Sequence, residues 1–124
     1  MVFNIDIRKA TMKNNYFRKV LATGKNSQIV VMCLRPKEDI GMEVHNDVDQ
    51  ILVFLEGSGQ AVLGGKKSAV KKNSIVHVPM KTWHNFINTG KRKMKLYTVY
   101  SPPEHKPGTI HKTKKDAVAA HEKE

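Results

Sequence analysis

Hydrophobic and polar positions fall into short runs bounded by turn residues, which is the pattern of strands rather than of long helices. Seven runs stand out: "YFRKVLAT" at 16–23, "SQIVVMCLRP" at 27–36, "QILVFLEG" at 50–57, "GQAVLGG" at 59–65, "SIVHVP" at 74–79, "HNFINT" at 84–89 and "MKLYTVYSP" at 94–102. Gly57-Ser58-Gly59 and Gly64-Gly65 read as hairpin turns that use glycine at positive φ. Pro79, Pro102 and Pro103 lack the N–H that a ladder needs and so end strands. Only the tail, "HKTKKDAVAAHEKE", has helical propensity, and it is polar enough that docking must stabilise it. The prediction is an all-β domain of jelly-roll or barrel type. An N-terminal strand segment at 1–26 packs on it, the barrel spans 27–100, and a C-terminal extension with helical propensity covers 101–124.

At 124 residues the chain has the size of one domain with one core. No stretch approaches the ~18 consecutive apolar residues of a membrane span, and the start, "MVFNIDIRKATMKNN", lacks the regions of a signal peptide. A lone cysteine, Cys33, sits in an apolar run, which excludes an internal disulfide and reads as a small buried hydrophobe. Together these predict a cytoplasmic protein.

The net charge of +11 raises the question of nucleic acid. The lysines are dispersed: Lys66, Lys67, Lys71 and Lys72 surround a turn, Lys91 to Lys95 precede a strand, and the remainder lie largely in the tail. Aromatic side chains sit inside apolar runs and are not interleaved with the lysines, so no stacking platform forms and no specific nucleic-acid partner is expected. Six of the eleven acids fall between residues 38 and 56, where there is no Lys or Arg.

That acidic segment carries the candidate chemistry. In "GMEVHNDVDQ", Glu43 and His45 are two apart, so on a strand both point to one face. The turn-prone "NDVD" lets the chain reverse and bring Gln50 beside them, with Asp47 and Asp49 left in the turn. His84 begins a strand after the Pro79 turn and is the fourth candidate. Two imidazoles, a carboxylate and an amide oxygen suit one divalent transition metal (Zn, Fe, Mn, Ni or Co), and softness does not choose among them.

These residues carry a resemblance. "GMEVHNDVDQILVFLEGSG" followed by "NSIVHVPMKTWHNFIN" resembles the two motifs of the cupin superfamily, small double-stranded β-helix barrels that hold a metal inside. The second motif keeps the spacing of Asn73, Pro79, Lys81, His84 and Asn88, with Asn73 and Lys81 where the family usually has glycine. In the first, Glu43 takes the place of the first histidine of His-x-His, His45 the second, Gln50 that of the glutamate and Gly57 that of the glycine. The resemblance covers about residues 27–100. It implies a cupin jelly-roll barrel with Glu43, His45, Gln50 and His84 as metal ligands.

Small cupins similar to this one imply an isomerase-like activity on a small sugar or sugar phosphate. In that reading His77 is the nearest base, and Arg18, Lys81 and Lys95 are candidate phosphate cations. The alternatives are an Fe- or Mn-dependent dioxygenase of a small chelating substrate, with Glu43, His45 and His84 as its triad, and a non-enzymatic barrel that binds a small ligand. Trp83 and Phe86, which flank His84, and Tyr97 are candidate pocket residues. The "SPPEH" tail with His105 and His111 is a candidate closure for the barrel mouth, and truncation after Pro102 is expected to leave the barrel folded. Exposed strand edges predict a homodimer.

Overall fold

The computed structural model describes residues 3–122. The chain begins with a short helix, α1 (Ile7–Lys13), where the hydrophobic pattern had predicted only strand. Its signal is local: Asp6 caps the N-terminus by accepting a hydrogen bond from the Lys9 backbone N–H at 3.0 Å, and Lys13 lies in the last turn. Seven residues are too few to show a helical period in the sequence. Packing supports the helix instead, because it lies across the outer face of the large sheet against β8, β3 and β2, and Lys95 Nζ donates to Met12 O at its C-terminal end.

Nine strands follow: β1 (Arg18–Thr23), β2 (Gln28–Leu34), β3 (Asp49–Glu56), β4 (Ser58–Leu63), β5 (Lys66–Lys71), β6 (Ile75–Val78), β7 (His84–Ile87), β8 (Met94–Ser101) and β9 (Ile110–His111). They form two antiparallel sheets, ordered β6-β3-β8-β2-β1-β9 and β5-β4-β7. Bridges Asp39↔Ile87 and Glu43↔His84 lay residues 39–43 along β7, extending the smaller sheet. The all-β jelly roll expected from the sequence is the fold observed. All seven expected strands are present, while β5 and β9 are additional. β5 was hidden by composition: "KKSAVK" buries only Val70 and otherwise faces outward.

The glycines do two different jobs. Gly64 (φ 56°) and Gly65 (φ 84°) form a true two-residue hairpin between β4 and β5. Gly57-Ser58-Gly59 is not a hairpin, because β3 and β4 belong to different sheets, and here the chain crosses from one to the other. Gly57 has φ 88°, whereas Gly59 lacks positive φ and serves close approach, its Cα facing Ile87 and Met94. Asn73 (φ 75°) and Lys81 (φ 67°), which replace glycine in the second motif, keep the left-handed backbone that glycine would supply.

Cross-strand pairs stack the inner face of the large sheet into rows. One is Arg18, Met32, Leu96 and Phe54, the next is Val20, Val30, Thr98, Leu52 and Val76, and the last is Gln28, Tyr100, Gln50 and Val78. Apolar members of these rows meet Ala61 and Phe86 of the smaller sheet in the core. Polar residues therefore gather at one end of the barrel, in the Gln28–Tyr100–Gln50 row. Cys33 is buried, and burial pushes its thiol pKa up, in line with a packing role.

The tail is part of this body. Residues 102–109 cross the barrel as a strap, β9 pairs with β1, and α2 (Lys114–Glu122) places Ala117 in the core while Lys114 pairs with Asp39. Truncation after Pro102 would remove all of these contacts, so the sequence-based expectation of an intact barrel no longer has a structural basis.

Candidate functional site

The structure brings Glu43, His45 and His84 together by a route different from the one expected. Glu43 and His45 are not on a strand; residues 44–48 are loop. What holds them is a backbone pair with β7, in which Glu43 N donates to His84 O at 2.9 Å and His84 N donates to Glu43 O at 2.8 Å. Lys81 N also donates to His45 O, which ties the loop to the turn before β7. The side chains then converge, with the His45 and His84 rings 5.2 Å apart and Glu43 Oε2 at 3.4 Å from His45 Nε2. Gln50 joins through its cross-strand neighbour Tyr100, whose ring is 6.2 Å from that of His45.

Hydrogen bonds fix how these groups present themselves. The Nδ1 of His84 lies 2.8 Å from Thr82 O, so it carries the proton and donates, and Nε2 is left with its lone pair. Gln50 Nε2 donates to Thr98 Oγ1 at 3.1 Å, and Thr98 in turn donates to Ile51 O. Gln50 Oε1 is fully buried with no hydrogen-bond partner. A buried amide oxygen left without a donor costs about 1–3 kcal/mol, so this atom has an unmet demand for a donor or a cation.

The strap, which the sequence offers through "SPPEH" and His105 as a candidate closure of the barrel mouth, brings Glu104 and His105 beside the candidate ligands. Glu104 Oε1 lies 3.4 Å from His45 Nδ1, so His45 stands between two carboxylates. His105 Nε2 lies 3.4 Å from the buried Tyr100 hydroxyl. The strap is clamped by Gln28, which is 1% exposed: its Oε1 accepts from the Glu104 and His105 N–H groups, and its Nε2 donates to His105 O and Thr23 Oγ1. A glutamine at the first position of an apolar strand was the available signal, since a buried amide needs partners from elsewhere in the chain.

The electrostatics follow. The Glu104 carboxylate holds the His45 pKa up against desolvation, and His45 reciprocally holds Glu104 down despite its partial burial. Burial, helped by the Arg18 charge, pushes His105 down to about 3, and burial pushes the Tyr100 hydroxyl up.

Opposite pH slopes result in the metal-free chain. The His45 pair stabilises fully below the unfolded imidazole value near 6.5 and loses its contribution as pH rises through the raised folded value. His105 acts the other way: the unfolded chain takes up a proton below 6.5 that the folded chain refuses until about 3, so stability falls as pH drops through that window. Thermal midpoints between pH 4 and 8 should therefore show less acid loss in His105→Gln. In Glu104→Gln, the loss on going from pH 6 to 8 should shrink. Profiles parallel to wild type in both variants would remove these two groups as its cause.

Three of the four weaker pocket candidates lie away from the converging side chains, and the fourth, Phe86, packs beneath His84. His77 pairs with Ile51 on the outer face of β6 and is exposed, Trp83 is 57% exposed, and Tyr97 points outward from β8, opposite in sense to Tyr100. Phe86 is fully buried against Phe54 and forms core beneath His84. Two surface hollows, one of about 430 Å³ beside α2 and one of about 400 Å³ between α1 and β1, contain none of the site residues.

A family model described as a cupin domain matches residues 30–100, the span that contains every strand from β3 to β8 and both converging segments. The chain belongs to the cupin family. This cupin is 47% identical to the uncharacterized protein YrkC of Bacillus subtilis, over 95% of the present chain and 67% of that one. Among solved structures it is similar to BH2720 of Bacillus halodurans, with 39% identity, a TM-score of 0.93 and coverage of 94% and 93% of the two chains. A sugar phosphate isomerase from Silicibacter pomeroyi shares the fold at 16% identity and a TM-score of 0.61, covering 70% of this chain and 60% of that one.

Among the described residues, no three His, Cys, Asp or Glu side chains are gathered at metal-ligand range. The Glu43 carboxylate is turned onto His45, with Oε2 3.4 Å from His45 Nε2. The donor set still fits a divalent ion, given the free Nε2 of His84, the adjacent His45 and Glu43, and the orphaned Oε1 of Gln50.

Proposed function

We propose that this cupin binds one divalent transition metal with Glu43, His45, Gln50 and His84 and uses that site to hold a small-molecule ligand. The observation that carries the reading is the buried, partnerless Oε1 of Gln50 in the same barrel end as the unprotonated Nε2 of His84. A bound metal would supply Lewis-acid polarisation of a ligand oxygen. The chain's own residues do the rest. Thr82 O fixes the His84 tautomer, Thr98 orients the Gln50 amide, and Glu104 Oε1 faces His45 Nδ1 at 3.4 Å, so that Nε2 is the ring atom to coordinate.

Sugar isomerisation requires a base that moves a proton between neighbouring carbons. His77 is outside the barrel, and His105 is too weak a base with its pKa pushed down to about 3. Glu104, half-exposed at the rim, is the carboxylate best placed for such a role. The geometry thus supports metal-dependent ligand binding more directly than any one reaction.

The test is a Co²⁺ titration of the chelator-stripped, tag-free protein, followed by visible absorption. Wild type is expected to saturate at one ion per chain. Gln50→Leu is expected to bind about 10- to 100-fold more weakly, while its metal-free thermal midpoint stays level or rises because the orphaned oxygen is gone. Equal Co²⁺ affinity in wild type and Gln50→Leu would remove Gln50 from the site.

A further inference from the structure

Arg18 is the other unusual group inside the barrel. It is 7% exposed and lies on the inner face of β1, in register with Met32 and two residues before the core residue Val20. Its Nη1 donates to His111 Nδ1 at 3.1 Å across the β1–β9 pair, and its guanidinium sits over the Phe17 ring at 5.3 Å. Its Nε is buried with no hydrogen-bond partner, and among the described residues no carboxylate lies within ion-pair distance of it.

Buried charges are normally paired, because an unpaired one leaves its desolvation uncompensated. Arg18 stands in the row with Met32, Leu96 and Phe54, two rows along the inner face from Tyr100, and its charge acts through space on Tyr100, Glu104 and His105. Glu104 is engaged with His45 and does not neutralise it by direct contact.

We infer that Arg18 forms an anion subsite in the barrel that takes the carboxylate of a small organic acid. An incoming carboxylate would accept from the orphaned Nε and supply the counter-charge that the fold withholds. Phosphate is disfavoured: its second negative charge would face Glu104, and the other basic candidates are engaged elsewhere, Lys81 being exposed in its turn and Lys95 bonded to Met12 O. The metal reading enters only as the anchor for the far end of such a ligand, so the two proposals fail separately.

The decisive probe is acetate, the smallest carboxylate, with acetamide as its neutral isostere and inorganic phosphate as the competing anion. Titrations use the full-length, metal-stripped protein, and the readouts are the Arg18 Nε–H resonance and the thermal midpoint. Acetate is expected to shift the resonance saturably and to raise the midpoint, with acetamide inactive and phosphate at least tenfold weaker. Arg18→Met is expected to keep its acetate-free midpoint at or above wild type and to lose the acetate response, because an unpaired buried charge has been removed. Arg18→Lys is expected to retain part of that response. A wild-type protein whose Arg18 resonance ignores acetate would overturn the subsite, as would phosphate binding tighter than acetate, or a lowered Arg18→Met midpoint with the acetate response intact. Cobalt stoichiometry in Arg18→Met should equal wild type whichever way the acetate result falls.

Discussion

His84→Ala is expected to weaken divalent-metal affinity by more than about 100-fold, since loss of an outer-shell partner alone costs 10- to 100-fold and His84 would be a direct ligand. The same loss is expected for His45→Ala. The two variants should differ in how they tolerate the change. His84 is 2% exposed and rests on Phe86, so its removal leaves a void on the core and lowers the metal-free midpoint. His45 sits in a loop between two carboxylates, so its removal leaves Glu43 and Glu104 without the imidazole ring that stands between them. Competition against a chromogenic chelator gives the affinities. Unchanged affinity in either variant, with the fold intact by circular dichroism, would exclude that histidine as a ligand.

Gly59→Ala is expected to be the most destabilising single methyl group in the chain. An added Cβ would lie 2.1 Å from Ile87 O and 2.5 Å from Met94 Cε. The methionine tip can swing away, but the carbonyl belongs to β7, which pairs with β4 at Gln60↔Ile87. The two strands must separate, and overpacking of this kind costs about 1–3 kcal/mol, with the backbone contact placing this case at or beyond the upper end. Because β7 begins at His84, the same displacement would reach this candidate ligand and the Glu43 backbone paired with it. Gly64→Ala is the control, with positive φ (56°) but open space around its Cβ, so only backbone strain of about 1–2 kcal/mol is at stake. Urea unfolding should rank Gly59→Ala as the less stable of the two; the reverse order would show that the β4–β7 approach is softer than its distances imply.

The part of this molecule legible in the sequence was the part governed by local pattern. Alternation and turn residues located seven strands because a half-buried strand writes its burial into every second side chain. The motif spacing placed His84 and the Glu43–His45 pair together, and even the glycine replacements Asn73 and Lys81 marked real positive-φ positions. What was illegible depended on contacts made far away in the chain. α1 is too short for a period, and β5 is too polar to look like a strand.

The strap shows the same limit from the other side. Glu104 and His105 lie in a Pro- and Lys-rich stretch that the sequence offers as a candidate closure of the barrel mouth without showing what either residue touches. Their role arises only because Gln28, 76 and 77 positions earlier, holds their backbone N–H groups. Likewise nothing local told His77 on β6 from an inward histidine; register against Ile51 decided it. The charge of Arg18 takes its meaning from the three-dimensional structure, where among the described residues no carboxylate lies within ion-pair distance of it.

The account stands or falls on one metal per chain at the Glu43–His45–Gln50–His84 site. Elemental analysis of the tag-free purified protein, after equilibration with Zn²⁺, Fe²⁺, Mn²⁺, Ni²⁺ and Co²⁺ in turn, tests that most directly, with His45→Ala and His84→Ala run beside it. The account predicts about one ion per chain for at least one metal in wild type and close to none in either variant. Absence of stoichiometric metal from wild type under every condition, or equal metal in all three proteins, would contradict it.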